Sequence, residues 1–312
     1  MPIKVKQSLP ARDILEKENI FVMTETRAMT QDIRPLKVLV LNLMPTKIVT
    51  ETQILRKLSN TPLQIEVEFL QTATYRSKHT DKSHLDEFYK TFDEVSNKYF
   101  DGLIITGAPL DFVDYEDVEY WDEICEIMEW SKKHVHCTFY LCWGAFAGLY
   151  YHYGIKKHIL NKKISGVYEH HPLHNKLPII RGFDDKFYAP HSRNTGVDGE
   201  AIRKNKELTI VAESDETGPY IILNSTGSQV FVTGHPEYDP DTLDKEYHRD
   251  LAKGGDCVMP KNYYKNDDVN DEILVKWRSH AYLLFSNWLN YYVYQNTPYN
   301  LDDLLKMKTT NK

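Results

Sequence analysis

One cysteine and one histidine of this 312-residue chain stand where a polypeptide exposes reactive atoms. Cys142 follows the apolar run Thr138-Phe-Tyr-Leu141 and precedes Trp143-Gly-Ala-Phe-Ala-Gly148, whose small residues Gly144, Ala145, Ala147 and Gly148 let a helix begin hard against a strand. Such a strand–turn–helix elbow presents a nucleophile at the carboxyl edge of a sheet. The helix N-terminus favours a thiolate there and aims backbone N–H groups at a nearby oxyanion. Farther on, Val230-Phe-Val-Thr-Gly234 leads into His235-Pro-Glu237. If the extended conformation persists through Pro236, the imidazole and the carboxylate point the same way. A carboxylate so placed fixes the tautomer of the histidine and stabilises the imidazolium. Taken singly, a strand-end cysteine reads as core and a histidine before proline as a turn residue. Together they supply nucleophile, base and orienting carboxylate for acyl transfer through a thioester.

The remaining cysteines, Cys125, Cys137 and Cys257, show no CxxC spacing, so neither a disulfide scaffold nor a zinc ribbon is expected. His134, His136, His170, His171 and His174 match no helix-face ligand pair with a general-base glutamate, and no metal is expected.

The elements that must position these groups alternate strand and helix. Lys37–Leu43 is a continuous apolar run of the kind that buried parallel strands show, and Thr50–Leu58 carries a helical stripe. Ile65–Phe69 reads as a strand, Leu85–Tyr99 as a helix, Gly102–Thr106 as a strand, Tyr115–Lys133 as a helix and Val135–Leu141 as a strand. This alternation predicts an α/β fold with a mostly parallel sheet covered by helices on both faces and ligands outside the carboxyl ends of its strands. Leu208–Ser214, Tyr220–Asn224 and Gln229–Thr233 read as short hairpin strands, and Ile273–Tyr294 as a long closing helix. A single domain with an irregular N-terminal segment is the simplest organisation, since no repeat, low-complexity tract or Gly/Ser linker interrupts it.

Composition narrows the class. Asp and Glu number 45 against 38 Lys and Arg, a formal charge of -7, and the basic residues are scattered, which points away from nucleic acid. The longest apolar stretch, Ala281–Tyr294, is interrupted by Ser286, Asn287 and Asn290 and is too short to span a bilayer. The opening residues lack the apolar core of a secretory signal, so a cytoplasmic enzyme is expected.

Phe139-Tyr-Leu-Cys-Trp-Gly-Ala145 and Thr233-Gly-His-Pro-Glu-Tyr238 resemble the homoserine O-acyltransferase family of methionine biosynthesis. So do Gly102-Leu-Ile-Ile-Thr-Gly-Ala-Pro109, Ala189-Pro-His-Ser-Arg193, Met1-Pro-Ile-Lys-Val5 and Asn42-Leu-Met-Pro-Thr-Lys47, and the likeness spans nearly the whole chain. The resemblance implies a class I glutamine-amidotransferase-like fold, acyl transfer from a coenzyme A thioester to the hydroxyl of L-homoserine, and a homodimer. It also implies roles: Cys142 as acyl carrier, His235 as base, Glu237 as its partner, and Lys163, Ser192 and Arg249 as substrate contacts. Fixed cations suit the carboxylate of a zwitterionic amino acid. An oxyanion is expected against the Trp143 N–H and one from the Gly107–Leu110 turn.

In that family the residue after Thr-Gly-Ala-Pro-Leu110 goes with the donor, glycine with succinyl-CoA and glutamate with acetyl-CoA; here it is Asp111. A second carboxylate ~4 Å from an aspartate costs about 4 kcal/mol at an effective dielectric near 20. Acetyl-CoA is therefore the expected co-substrate, and succinyl-CoA the alternative. A glutamine amidotransferase or related cysteine hydrolase would share fold and triad, but resembles Gly-x-Cys-x-Gly at the elbow, whereas bulky Leu141 and Trp143 flank Cys142 here. A non-catalytic protein on a flavodoxin-like sheet would carry a cysteine of ordinary reactivity.

Overall fold

The computed structural model describes residues 3–5, 22–24, 34–74, 80–254, 257–304 and 306–307. Of the motif at Met1–Val5, the first two residues lie outside that set. Strands β1 (Ile3–Val5) and β2 (Val22–Thr24) form a small parallel pair.

The main sheet is built from β3 (Leu36–Leu41), β4 (Ile65–Leu70), β5 (Tyr89–Lys90), β6 (Phe100–Ile105), β7 (Val135–Leu141), β8 (Lys157–Pro172), β9 (Phe187–Val197), β10 (Leu208–Ser214), β11 (Gly218–Asn224) and β12 (Gln229–Val232). Their spatial order is β5-β4-β3-β6-β7-β12-β11-β10-β8-β9. Pairing is parallel from β5 to β12 and antiparallel from β12 to β9. The helices are α1 (Lys47–Leu58), α2 (Lys82–Phe88), α3 (Phe92–Val95), α4 (Trp121–His134), α5 (Trp143–Tyr153), α6 (Gly199–Lys204), α7 (Thr242–Ala252) and α8 (Arg278–Asn287).

The apolar runs in the sequence are buried on both faces, as a covered parallel sheet requires. On β3, Leu39 and Leu41 enter one core with α4 and α5, while Val38 and Val40 enter the other with α1 and α8. Ile104 and Ile105 divide the same way on β6. From β3 the chain moves outward to β4 and then returns to β6 on the opposite side, which creates a switch point where the carboxyl ends of β3 and β6 diverge.

Four elements differ from the sequence reading. The helix expected over Tyr115–Lys133 begins only at Trp121, after a 3-10 turn over Tyr115–Asp117 and an extended Val118. The helix expected over Leu85–Tyr99 is broken, because Tyr89 and Lys90 pair with Phe69 and Leu70. The Thr91 N–H then donates to Glu94 Oε2 at 2.7 Å, starting α3 afresh. The closing helix begins only at Arg278: the Leu274 N–H donates to Tyr263 O at 2.8 Å, holding that stretch extended. It ends in a π-helical turn, Trp288–Tyr294. Finally, β8 and β9, a long antiparallel pair that the sequence reading did not anticipate, carry two of the expected substrate contacts, Lys163 and Ser192.

Candidate active site

Cys142 occupies the single residue between β7 and α5, with φ 46° and ψ -113°. The other non-glycine residues at positive φ among those described are Asn262, Asn266 and Asp267, types that tolerate it. A cysteine there stores about 1–3 kcal/mol of backbone strain, a pattern that clusters at functional sites. The strain is held from both sides: the Cys142 N–H donates to Val232 O at 2.8 Å, and its carbonyl accepts from Phe146 N at 3.1 Å. Gly144 makes the junction possible, since a Cβ there would lie 2.6 Å from Thr106 O and 2.8 Å from Ile105 O. The expectation of a helix starting hard against the sheet is met in these contacts.

His235 follows the end of β12, beside β7, and is fixed by its N–H to Pro190 O at 2.8 Å. Its Nδ1 donates to Glu237 Oε1 at 2.8 Å, which leaves Nε2 as the ring's second nitrogen, on a ring that borders the same small volume as Cys142. Tyr238 stacks on the imidazole with centroids 4.1 Å apart and an interplanar angle of 17°. Its hydroxyl donates to Glu246 Oε1 at 2.9 Å. Burial alone would push the imidazole down; the charges of Cys142 and Glu237 outweigh it and hold His235 well above its ordinary value. An imidazolium flanked by sulfur and carboxylate is the arrangement of an activated cysteine nucleophile.

The backbone at Gly107 closes the far side. A Cβ on this residue would lie 3.4 Å from Cys142 Cβ, 3.6 Å from His235 Cε1 and 3.8 Å from Trp143 N. The Trp143 N–H, the first free donor of α5, and the 107–110 turn thus border one small space beside Cys142.

Around this space lies a cavity of about 470 Å³ whose wall includes Met44, Ala108, Cys142 and His235, each just beyond the carboxyl end of a different parallel strand. Lys163, Ser192, Arg249 and Asp111 line it too, and Glu237 joins it through its contact with His235. Asp111 is not a loop carboxylate turned to water. Its Oδ2 accepts from Asn194 N at 2.7 Å and Asn194 Nδ2 at 3.0 Å, and its Oδ1 from Thr195 Oγ1 at 3.2 Å.

Sequence reasoning missed Asp250, which both cations grip: Lys163 Nζ lies 2.8 Å from Oδ2, and Arg249 donates to Oδ1 from Nε at 3.0 Å and Nη2 at 2.9 Å. Burial would raise this carboxyl, but the hydrogen bonds from Lys163 and Arg249 hold it below the ordinary carboxylate value. Asp250 thereby aligns two cations from different elements. Its adjacency to Arg249 on a polar helix was the available signal.

Known proteins of similar sequence or shape agree with this construction. A model of the homoserine O-succinyltransferase family matches residues 2–299. The chain is 57% identical over 304 residues to a homoserine O-acetyltransferase of Petrotoga mobilis, covering 97% of this chain and 98% of that one. It is 54% identical over 307 residues to a homoserine O-succinyltransferase of Shewanella baltica, covering 98% of each. Among solved structures, a glutamine amidotransferase of Thermotoga maritima superposes with TM-score 0.55 at 13% identity, over 82% of this chain and 97% of that one. At that identity the likeness shows the fold alone, a class I glutamine-amidotransferase-like sheet. The sequence matches carry further: this chain belongs to the homoserine O-succinyltransferase family.

Proposed function

We propose that this chain is a homoserine O-acetyltransferase, moving an acetyl group from acetyl-CoA to the hydroxyl of L-homoserine through an acyl-cysteine. The observation that carries the reading is the strained Cys142 elbow, with the His235–Glu237 pair beside it, opening on a cavity walled by Lys163 and Arg249. The Cys142 thiolate attacks the thioester carbonyl, and the oxyanion forms against the Trp143 N–H and the Gly107–Leu110 turn. Coenzyme A leaves with a proton from His235. The neutral imidazole then deprotonates the homoserine hydroxyl, which attacks the acyl-enzyme and expels the thiolate. Lys163, Ser192 and Arg249 hold the amino acid, the cations meeting its carboxylate.

Acetyl is favoured because Asp111, tied by Asn194 and Thr195, fixes a carboxylate in the cavity wall where a succinyl group would bring a second. The occurrence of O-succinyltransferase among relatives at 54% identity keeps succinyl-CoA as the second reading. Coenzyme A acts as co-substrate, with no metal required. No helix among the described residues is long and apolar enough to cross a membrane. The family resemblance supports a cytoplasmic homodimer acting on small molecules. Product identification from homoserine with each donor tests the reading. O-acetylhomoserine is expected; exclusive O-succinylhomoserine overturns the donor, and no acylated product overturns the activity.

A further inference from the structure

Two residues of one short turn hold the His235 ring, one at its edge and one on its face. The Tyr238 N–H donates to the His235 carbonyl at 3.2 Å, so His235-Pro-Glu-Tyr238 closes a β-turn with proline in second place, where its fixed φ is favoured. The extended conformation considered through Pro236 is therefore not kept. Within the turn, Glu237 Oε1 takes the Nδ1 edge at 2.8 Å, and the Tyr238 ring lies over the imidazole, with centroids 4.1 Å apart and planes 17° from parallel.

Tyr238 has little freedom to leave this position. It is buried in a small core with Val167, Leu243 and Trp277. Its carbonyl accepts from Trp277 Nε1 at 3.2 Å, and its hydroxyl donates to Glu246 Oε1 on α7 at 2.9 Å. Burial, followed by the Glu246 charge, holds the phenol well above its ordinary value, so the hydroxyl remains a donor. An aromatic face carries partial negative charge and attracts a cation within about 6 Å of its centroid, whereas a neutral imidazole in the same place gains far less. Donation from the hydroxyl to a carboxylate makes that face richer in electrons. The other titratable groups around His235 are Glu237 on the same turn, Cys142 at the elbow and His191 on β9, with Lys57 on α1 acting on Glu237. Burial keeps His191 well below its ordinary value, so it brings no charge near neutral pH.

We propose that Tyr238 is a positioning residue that acts through His235: its face holds the imidazolium in preference to the neutral ring and so sets the pH range over which this histidine releases and regains a proton. In the mechanism above, the proton leaves with coenzyme A and is replaced from the homoserine hydroxyl. Each half-reaction thus exchanges the form that the stack favours for the form that it does not. The inference rests on His235 as the base of that reading, but on neither the acyl donor nor the acceptor.

The test is the titration midpoint of His235, read by NMR on protein isotopically labelled at histidine Cε1 and free of substrate. The resonance missing from His235→Asn identifies it among the 13 histidines. Y238L fills the space without an aromatic face, and Y238F keeps the face without the hydroxyl. The account predicts a midpoint lowered by about one pH unit in Y238L and by less than about half a unit in Y238F. The alkaline limb of kcat/KM for the acyl donor, where the imidazolium is lost, should move down in parallel. An unchanged midpoint in Y238L would make Tyr238 packing alone, and equal shifts in both variants would assign the effect to the hydroxyl; either result overturns the proposal. Should thermal melts show that Y238L does not fold, pentafluorophenylalanine in place of Tyr238 keeps the ring and reverses the sign of its face. A midpoint no lower than that of Y238F then overturns the proposal. Because the titration needs neither acyl-CoA nor homoserine, its outcome is separable from that of the acetyltransferase assay.

Discussion

Gly107 is bare because the volume its Cβ would fill borders Cys142, His235 and the Trp143 amide together. Gly107→Ala should therefore reduce kcat/KM by about a hundredfold, the usual loss when an oxyanion site is disturbed, with melting shifted by no more than a few degrees. Steady-state kinetics beside a thermal melt would check both, and an alanine enzyme of near-normal kcat/KM would move the acyl site elsewhere. At Asp111 the effect is one of charge. Replacement by glycine removes the repulsion, so the ratio of succinyl-CoA to acetyl-CoA turnover should rise at least about tenfold; an unchanged ratio would free Asp111 of any role in donor choice. The convergence of Cys142, His235 and Glu237 was legible in the sequence because each member sits at or just past a strand end, where local pattern determines placement. Asp250, Asn194 and Tyr238 were not, because their roles depend on partners brought in by tertiary packing: Lys163 is 87 residues from Asp250, and Asn194 is 83 from Asp111.

The elements divide along the same line. Val135–Leu141 and Leu208–Ser214 fall where apolar runs placed them, since burial on both faces leaves a run with no competing periodicity. Leu85–Tyr99 failed because two residues of edge pairing and a fresh cap outweighed helical spacing. The β8–β9 pair escaped because β8 is long, half exposed and irregular in register between Ile159 and Ile164, which blurs alternation. Helix α5 couples to β7 through His152, whose Nε2 accepts the Tyr140 hydroxyl at 3.0 Å. Burial, followed by the nearby Lys132 charge, pushes this imidazole down to about 4. The unfolded chain protonates His152 near its ordinary value of 6.5, well before the folded one does. Stability from this group is thus complete above that value and is lost as pH falls toward 4, by about 2–3 kcal/mol. Urea unfolding at pH 7 and pH 4.5 should show a loss that His152→Gln makes smaller; an equal loss in the variant would assign the acid sensitivity to other groups.

On the scale of the whole molecule, six parallel strands deliver loops from distant stretches of chain to one rim, and buried ties keep that rim in register. Asp101, fully buried at the other end of β6, is one such tie. It accepts from Arg34 Nη1 and Nη2, both at 2.7 Å, from Lys37 N at 2.8 Å and from Thr297 Oγ1 at 2.5 Å, joining segments separated by nearly the full sequence. Asp101→Ala should lower the unfolding free energy by about 3–5 kcal/mol, as expected when a buried pair loses one partner, and leave kcat/KM of the folded fraction unchanged. Denaturant titration with activity per folded molecule reads both, and a fall in kcat/KM would tie this end of the sheet to catalysis. The central claim itself is chemical, that the sulfur at the elbow carries the acyl group between donor and acceptor. It is tested most directly by mixing the protein with acetyl-CoA in the absence of homoserine and determining the mass of the Cys142 peptide. The account predicts one added acetyl group on that peptide, discharged when homoserine is supplied. An unmodified Cys142 under conditions where acetylhomoserine is still produced would contradict it.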